Sequence, residues 1–423
     1  MRTILVHLPA YREPELIPTI KDALANAAHP ERIHFGICRQ FNPEDGFDNV
    51  DEFRSDPRFK IADIPYQEAK GLAYARSVIN EKLLTDEDFL LQLDSHHRFA
   101  ENWDNTLLEM YDGLVADGHN PLLCGYLPYY NPFNDPADRV QEPWFSEAAS
   151  FYPFGTIFIR PTGYHHVDWK TLEKPVPARF ISGHFCFGPN KWAKTVLHDP
   201  DIFFAGEELN LTVRSYTHGY DLFHPHKVVI WHATMRTERN GKLVWDDQHK
   251  RGENTWWQRT RVGRSKIRQL LRTENNGFDL TGYDLGSART LRDYEKYAGI
   301  HFGLKAFQTY TKKNFFPPNP VIEDEKEWEA SFTKSFYYLI DITRNMLPEN
   351  DYDSIYIAFD DENGIGIESE SIKDYRLKEF LQNGTPIHYE KMFMTDEVPA
   401  RVVYWAHSKT RGWAERHEIK IEQ

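Results

Sequence analysis

The sequence predicts an α/β fold: an open, mostly parallel sheet with crossover helices, followed by a smaller β-rich domain. Two observations predict this class. Over the first hundred residues, short apolar runs alternate with helix-length amphipathic segments, and several of these runs end in polar residues. Strands separated by helices of this length are typical of a parallel sheet, whose ligands bind beyond the carboxyl ends of the strands.

Each segment of this first part carries its own signal. The run from Thr3 to Leu8 is apolar and stops at Pro9, which is typical of a buried strand. The segment after it begins with Pro14, a residue that suits a first helical turn, and has apolar residues at helical spacing up to Ala25. The other elements predicted here are strands at 33–38, 59–64 and 89–93 and a helix at 70–84.

The remainder of the chain is less regular. Residues 236–266 are basic within an acidic protein, and we expect them to form a flexible lid over a ligand. A proline-rich stretch near 316–320 predicts a boundary between a first domain at 1–315 and an α+β accessory domain at 316–423. Predicted strands lie at 122–126, 156–159, 180–187, 227–231, 354–359, 399–405 and 418–421. Predicted helices lie at 207–218, 286–315 and 330–345.

The composition argues against several classes of protein. The formal net charge is −14 and no basic tract occurs, so nucleic acid is not expected as a partner, because phosphate neutralisation needs a positive surface. No apolar run approaches the about 18 residues of a membrane-spanning helix, and the N-terminus lacks the apolar core of a signal peptide. The three cysteines, Cys38, Cys124 and Cys186, are too widely spaced for a disulfide framework. We therefore expect a cytoplasmic protein without a transmembrane segment.

The main chemical signal is the tripeptide Asp94-Ser95-His96, directly after the apolar strand at 89–93. Residues two apart on an extended chain point to the same side, with Cα atoms about 7 Å apart. A carboxylate and an imidazole on one edge can share a divalent metal ion. His232, at the end of another apolar strand, is the best candidate for a third ligand. The competing histidines are His224 and His226.

Two further motifs have both a structural and a functional interpretation. Glu207 and Glu208 open a helix after Gly206, where acidic side chains are ordinary partners of the helix dipole and can also reach a ligand in the crevice. Arg76 lies one turn after Gly71. It is either a surface arginine or a residue that reaches a phosphate or an active-site carboxylate.

Together these motifs resemble those of the polypeptide N-acetylgalactosaminyltransferases. In overall character the chain more closely resembles the polypeptide α-N-acetylglucosaminyltransferases that modify hydroxyproline or threonine. In the galactosaminyl enzymes an arginine follows the glutamate by seven residues and a metal-binding histidine follows that arginine by eighteen. Glu207, Arg214 and His232 reproduce both intervals. The resemblance covers about residues 1–235 and rests on Gly71-Leu72 with Arg76, Asp94-x-His96, Gly183 and Gly206-Glu207.

The resemblance implies a Rossmann-like GT-A fold and a metal-dependent, retaining transferase that moves GlcNAc from a UDP-sugar to a hydroxyl on a protein or glycan. Mn²⁺ or Mg²⁺ would be held by Asp94, His96 and His232. Gly183 and Glu207 would face the donor sugar, and Glu207 or Glu208 would be the catalytic carboxylate. The nucleotide would be contacted by Pro9, Ala10, Tyr11, Arg39, Arg76, Asp94 and Ser95.

Other functions stay open on the residues alone. The chain could extend a bacterial-type surface polysaccharide, hydrolyse a nucleotide-sugar with water as the acceptor, or bind a nucleotide-sugar without catalysis. The motifs concern the donor, so they do not separate these acceptors. A homo-oligomer is compatible with all of these functions.

Overall fold

A computed structural model describes residues 2–152, 154–234, 241–248, 255–342, 351–382 and 387–421 of the chain. No helix within these ranges combines the length and the apolar character that crossing a membrane requires. The cytoplasmic location stays a prediction.

The first part of the chain alternates strands and helices, as predicted. Its strands are β1 (Ile4–Tyr11), β2 (Ile33–Phe41), β3 (Phe59–Pro65), β4 (Phe89–Leu93), β5 (His97–Phe99), β6 (Pro121–Cys124), β7 (Phe145–Phe151), β8 (Ile157–Thr162), β9 (Val176–Pro177), β10 (Phe185–Pro189), β11 (Asp221–His224) and β12 (Ile230–His232). Its helices are α1 (Leu16–Asn26), α2 (Leu72–Lys82), α3 (Trp103–Ala116), α4 (Asn190–Thr195), α5 (Glu207–Thr217), α6 (Val244–Gln248), α7 (Trp256–Leu270) and α8 (Leu291–Ala298).

One large sheet organises this part, with strand order β3-β2-β1-β4-β10-β6-β11-β9. Strands β1 to β4 are parallel, and β10 runs antiparallel to both of its neighbours. Alternate residues of β1 enter different cores: Ile4 and Val6 pack on the side of α1 and α3, and Leu5 packs on the side of α2. Helices therefore cover both faces of a mostly parallel sheet, which confirms the predicted α/β class.

The C-terminal part is rich in strands, as predicted. Its elements are β13 (Ile300–His301), β14 (Ala306–Gln308), α9 (Thr309–Lys312), α10 (Glu325–Ala330), β15 (Phe332–Ile342), β16 (Tyr352–Asp360), β17 (Gly366–Lys373), α11 (Asp374–Gln382), β18 (Ile387–Thr395), β19 (Arg401–Ser408), β20 (Gly412–Trp413) and β21 (His417–Lys420). One sheet has the order β13-β14-β15-β18, and a second is built on β17-β16-β19. The first of these sheets pairs strands from both sides of the predicted boundary near residue 316, and that boundary stays a prediction.

Several predicted elements are wrong. The helix predicted at 330–345 is strand β15 over its described residues, because the segment is dense in Phe, Tyr and Ile and pairs along its length with β18. The structure has only the shorter helices α8 and α9 within the helix predicted at 286–315. Gly299 ends α8 in the left-handed region at φ 63°. The strand predicted at 180–187 begins only at Phe185.

Candidate active site

A cavity of about 480 Å³ opens beyond the carboxyl ends of β1, β2 and β4. Its lining includes Pro9, Gln40 and Asp94 from these strand ends, together with residues that open α5. Parallel strands end at one edge of a sheet, which is why segments far apart in sequence meet here.

The three predicted metal ligands converge in this cavity. Asp94 directly follows β4, and pairing of β12 with β5 places His232 opposite His97, beside His96. Asp94 Oδ2 lies 3.6 Å from His232 Nε2 and 3.8 Å from His96 Nε2. One ligand atom from each of the three residues lies within 4.8 Å of the others. His224 lies outside this group, since its Nδ1 donates to the carbonyl of Cys124.

Two neighbours hold His96 and His232 in place. The Nδ1–H of His96 donates to Glu13 Oε2 at 3.1 Å, and Glu13 is 3% exposed. This hydrogen bond leaves His96 Nε2 on the side of Asp94. The ring of His184 stacks on that of His232 with centroids 4.1 Å apart and planes 5° apart. His184 Nε2 in turn accepts from the backbone N–H of Leu127 at 3.1 Å.

Arg76 lies fully buried behind the cavity, on α2. Its guanidinium donates to Asp94 Oδ1 at 2.8 Å and to the carbonyl of Gly183 at 2.6 Å, and its Nε lies 2.7 Å from Glu207 Oε1. Burial opposes ionisation of Asp94, but a hydrogen bond from His232 and the charge of Arg76 hold the pKa of Asp94 well below its usual range. Asp94 is therefore ionised in the folded protein.

Glu207 and Glu208 begin α5 and line the cavity. Burial raises the pKa of Glu207 to about 7 against the opposing charge of Arg76. Burial also raises the pKa of Glu208 to about 7, and a hydrogen bond from the backbone N–H of Gly183 opposes that rise. A Cβ at Gly183 would lie 3.5 Å from Glu207 Oε2, so the loop passes close to both carboxylates.

Sequence comparison assigns the chain to a family. A family model described as Glycosyltransferase (GlcNAc) matches residues 3–58 and 46–303, which is more than half of the chain. The chain belongs to this glycosyltransferase family. No protein with a curated description matches it in sequence.

The glycosyltransferase is also similar to solved structures. A crystal structure of GalNAc-T7 with UDP, GalNAc and Mn²⁺ is 12% identical, over 98% of this chain and 68% of that chain, with a TM-score of 0.49. A crystal structure of S. aureus TarS 1-349 in complex with UDP is 11% identical, over 66% of this chain and 73% of that chain, with a TM-score of 0.37.

Some of the residues predicted to contact the nucleotide line the cavity of the glycosyltransferase. Pro9, Tyr11 and Ser95 line it. Ala10 is buried in the sheet, and Arg39 is paired with Asp48 at 2.8 Å. Neither of the last two lines the cavity. Adjacent strand residues point to opposite faces, so Gln40 is the residue of this strand end that lines the cavity.

A further wall of the cavity comes from α6, within the predicted lid. Asp247 accepts hydrogen bonds from Tyr11 Oη at 2.6 Å and from Arg12 at 2.9 Å, and Trp245 packs 5.7 Å from the ring of Phe204. Residues 236–240 and 249–254 of the predicted lid lie outside the described residues. The mobility of the lid stays a prediction.

Arg214, the arginine of the family-like spacing, does not line the cavity. It is fully buried on α5 and donates to the carbonyls of Leu197 and Gly282. Glu13 and His184 are the site residues that sequence reasoning did not single out, and neither carries a local signal. Gln40 follows a predicted strand beside Arg39, and the end of that strand was expected to face the crevice.

Proposed function

We propose that this glycosyltransferase moves GlcNAc from UDP-GlcNAc to a hydroxyl of a protein or glycan acceptor, with retention at the anomeric carbon. The observation that carries the proposal is the convergence of Asp94, His96 and His232 on one point of the cavity, within 4.8 Å of one another. Family membership supports the sugar, and the raised pKa values of Glu207 and Glu208 support a reaction centre beside that point.

The donor set suits a divalent cation. Two imidazole nitrogens and one carboxylate oxygen match Mn²⁺, and the same geometry accommodates Mg²⁺ when further oxygens complete the shell. Neighbouring ligands of an ion at about 2.1 Å are about 3 Å apart. The observed separations of 3.6 and 3.8 Å reach that value with small side-chain rotations. Bound there, the cation would offset negative charge on the departing diphosphate.

The side chains around the proposed metal site have separate roles in the reaction. Asp94 is held ionised by Arg76 and oriented toward the histidines. Glu207, held by the same arginine, borders the space beside Gly183 where the donor sugar would lie, and stabilises positive charge at the anomeric carbon. Glu208 is fixed by a hydrogen bond from the Gly183 N–H.

Retention follows from attack on the face that UDP leaves. The bond from the anomeric carbon to the phosphate oxygen breaks as the bond to the acceptor oxygen forms. The acceptor's proton passes to an oxygen of the leaving diphosphate. Glu207 is engaged by Arg76, so we assign it a positioning and electrostatic role and no covalent one.

The uridine would occupy the strand-end wall formed by Pro9, Tyr11 and Gln40, under α6. The uracil edge carries both a donor and acceptors, which match the amide of Gln40. Ser95 lies on the path from this wall to the metal ligands, as a diphosphate bridging the two would require.

The test is a UDP-release screen with several UDP-sugars, with and without Mn²⁺, followed by mass spectrometry of peptide and glycan acceptors. We expect UDP-GlcNAc to be consumed in the presence of Mn²⁺ and an acceptor to gain one GlcNAc. Release of free sugar alone would instead identify a hydrolase. Donor binding without turnover would identify a binding protein.

Variants localise the activity. His232→Ala and Asp94→Asn should each abolish turnover and weaken Mn²⁺ binding measured by calorimetry. His119→Ala is the matched control, because His119 is exposed and does not line the cavity. Full turnover by the two site variants in the presence of a chelator would refute the metal site.

A further inference from the structure

A second cavity, of about 480 Å³, lies on the sheet built from β17, β16 and β19. Alternation along β16 sends Ile355 and Ile357 into the apolar core of this part of the chain, while Tyr356 and Ala358 line the cavity. The cavity therefore occupies the face of the sheet that the apolar core leaves uncovered.

Aromatic side chains wall this groove and small residues form its floor. Tyr356 and Trp405 are directly opposite each other on β16 and β19, with ring centroids 4.7 Å apart, and both are half-buried. Ala358 and Ser369 are the neighbouring pair on β16 and β17. Large flat side chains beside small ones leave a slot between them, and both kinds line the cavity.

An ion pair lines the same groove. Asp360 is 5% exposed and lies 3.2 Å from Arg416, and both residues line the cavity. The groove therefore offers hydrogen-bonding groups, while the charges of this pair are balanced within the protein.

We propose that this groove binds a neutral oligosaccharide. One face of a pyranose ring presents C–H groups that pack on aromatic rings, and its hydroxyls bind carboxylates and guanidinium groups. A polyanion would meet the carboxylate of Asp360, and a purely apolar ligand would cover Asp360 and Arg416 without offering them hydrogen bonds. This inference rests on the proposed function, in which the oligosaccharide is the glycan portion of the acceptor.

The binding test uses the whole protein in the presence of a chelator and without any UDP-sugar, so the first cavity contributes neither metal nor donor contacts. The probes are cellotetraose, chitotetraose and galactotetraose, with tetragalacturonate as the anionic comparison, titrated by calorimetry and tryptophan fluorescence. We expect at least one neutral tetrasaccharide to bind and tetragalacturonate to bind more weakly.

Variants then test whether the oligosaccharide binds in this groove. Trp405→Ala and Tyr356→Ala should each weaken binding about tenfold or more, as loss of a central aromatic contact does. Ser369→Tyr fills the groove while keeping Trp405 and tests the proposal independently if Trp405→Ala is unstable. Tyr375→Ala, at an exposed residue of α11 that does not line the cavity, should bind like the unmodified protein.

The outcomes separate this groove from the catalytic proposal. Asp94→Asn should keep full tetrasaccharide binding, and binding should persist even if no UDP-sugar is turned over. The proposal is overturned if no neutral tetrasaccharide binds, if tetragalacturonate binds best, or if binding survives both Trp405→Ala and Ser369→Tyr.

Discussion

Arg76 Nε lies 2.7 Å from Glu207 Oε1, at the centre of a fully buried contact. The same guanidinium donates to Asp94 at 2.8 Å, so one cation joins the proposed metal-binding carboxylate to the proposed catalytic one. Charges held in a buried site interact more strongly than charges in water. The positions of these two carboxylates therefore depend on a single arginine.

Arg76→Met removes the cation and leaves both carboxylates buried without it. Breaking a buried ion pair from one side costs about 3–5 kcal/mol of unfolding free energy. Turnover should fall about 100-fold or more, because Asp94 and Glu207 lose their fixed positions. Urea unfolding and initial rates with UDP-GlcNAc measure the two effects.

Arg32→Met is the matched control for this prediction. Arg32 is also buried and lies 2.8 Å from Asp104, away from the cavity lining. It should lose comparable stability and keep its turnover at a temperature where it remains folded. Unchanged turnover in Arg76→Met would contradict the coupling described here.

Glu13 should set the metal affinity through His96. A carboxylate on the distal nitrogen of a histidine ligand fixes the ring and raises its basicity, and losing it costs about 10–100-fold in metal affinity. We expect this loss of Mn²⁺ affinity in Glu13→Ala, measured by calorimetry without donor, and a smaller loss in Glu13→Gln. Glu15→Gln is the control, because Glu15 pairs with Arg98 at 2.7 Å. Equal Mn²⁺ affinity in Glu13→Ala and Glu15→Gln would rule out this role.

Glu208 should make stability fall as pH rises. Its folded-state pKa of about 7 lies above the ordinary value of 4.5, so between these pH values the folded state binds more protons than the unfolded state. The unfolding free energy therefore decreases with rising pH across this window. Replacing one such group removes up to about 1.4 kcal/mol per pH unit of this decrease.

Glu208→Gln keeps an acceptor for the Gly183 N–H and removes the titration. We expect a flatter pH dependence of unfolding between pH 4.5 and 7, measured by urea titration with a chelator present. Glu101→Gln, an exposed substitution with the same charge change, is the matched control. A steeper slope in Glu208→Gln would contradict the sign of the effect.

Local sequence patterns predicted the parts of the site that depend on strand ends. Asp94 and His96 follow an apolar run, and their position follows from where that run stops. The pairing of β12 with β5, which brings His232 to them, is a long-range contact that no local pattern encodes. The end of an apolar run made His232 the best candidate for a third ligand, and the family-like spacing supported it.

The misses have equally specific causes. Arg39 was expected at the nucleotide, but its neighbour Gln40 lines the cavity, because one residue along a strand reverses the face. Glu13 lies in the loop before α1, where only tertiary contact with His96 reveals its role. The segment that forms β15 is dense in Phe, Tyr and Ile, which favours a strand, and its pairing with β18 decides its structure.

Gly71 should be irreplaceable because it combines an unusual backbone with a close contact. Its φ of 114° and ψ of 178° fall in a region that is almost restricted to glycine, where another residue costs about 1–3 kcal/mol. A Cβ there would also lie 2.4 Å from the carbonyl oxygen of Phe203, which accepts the Leu72 N–H. Gly71→Ala must therefore displace the start of α2, the helix that carries Arg76.

Gly46→Ala separates backbone strain from this contact. Gly46 has φ 69° and no atom within 4 Å of a Cβ, so alanine there should cost only about 1 kcal/mol. We expect Gly71→Ala to lose more unfolding free energy than Gly46→Ala and to lose turnover as well, since displacement of α2 moves the guanidinium that holds Asp94 and Glu207. Equal stabilities and equal turnover in the two variants would show that α2 absorbs the change without moving Arg76.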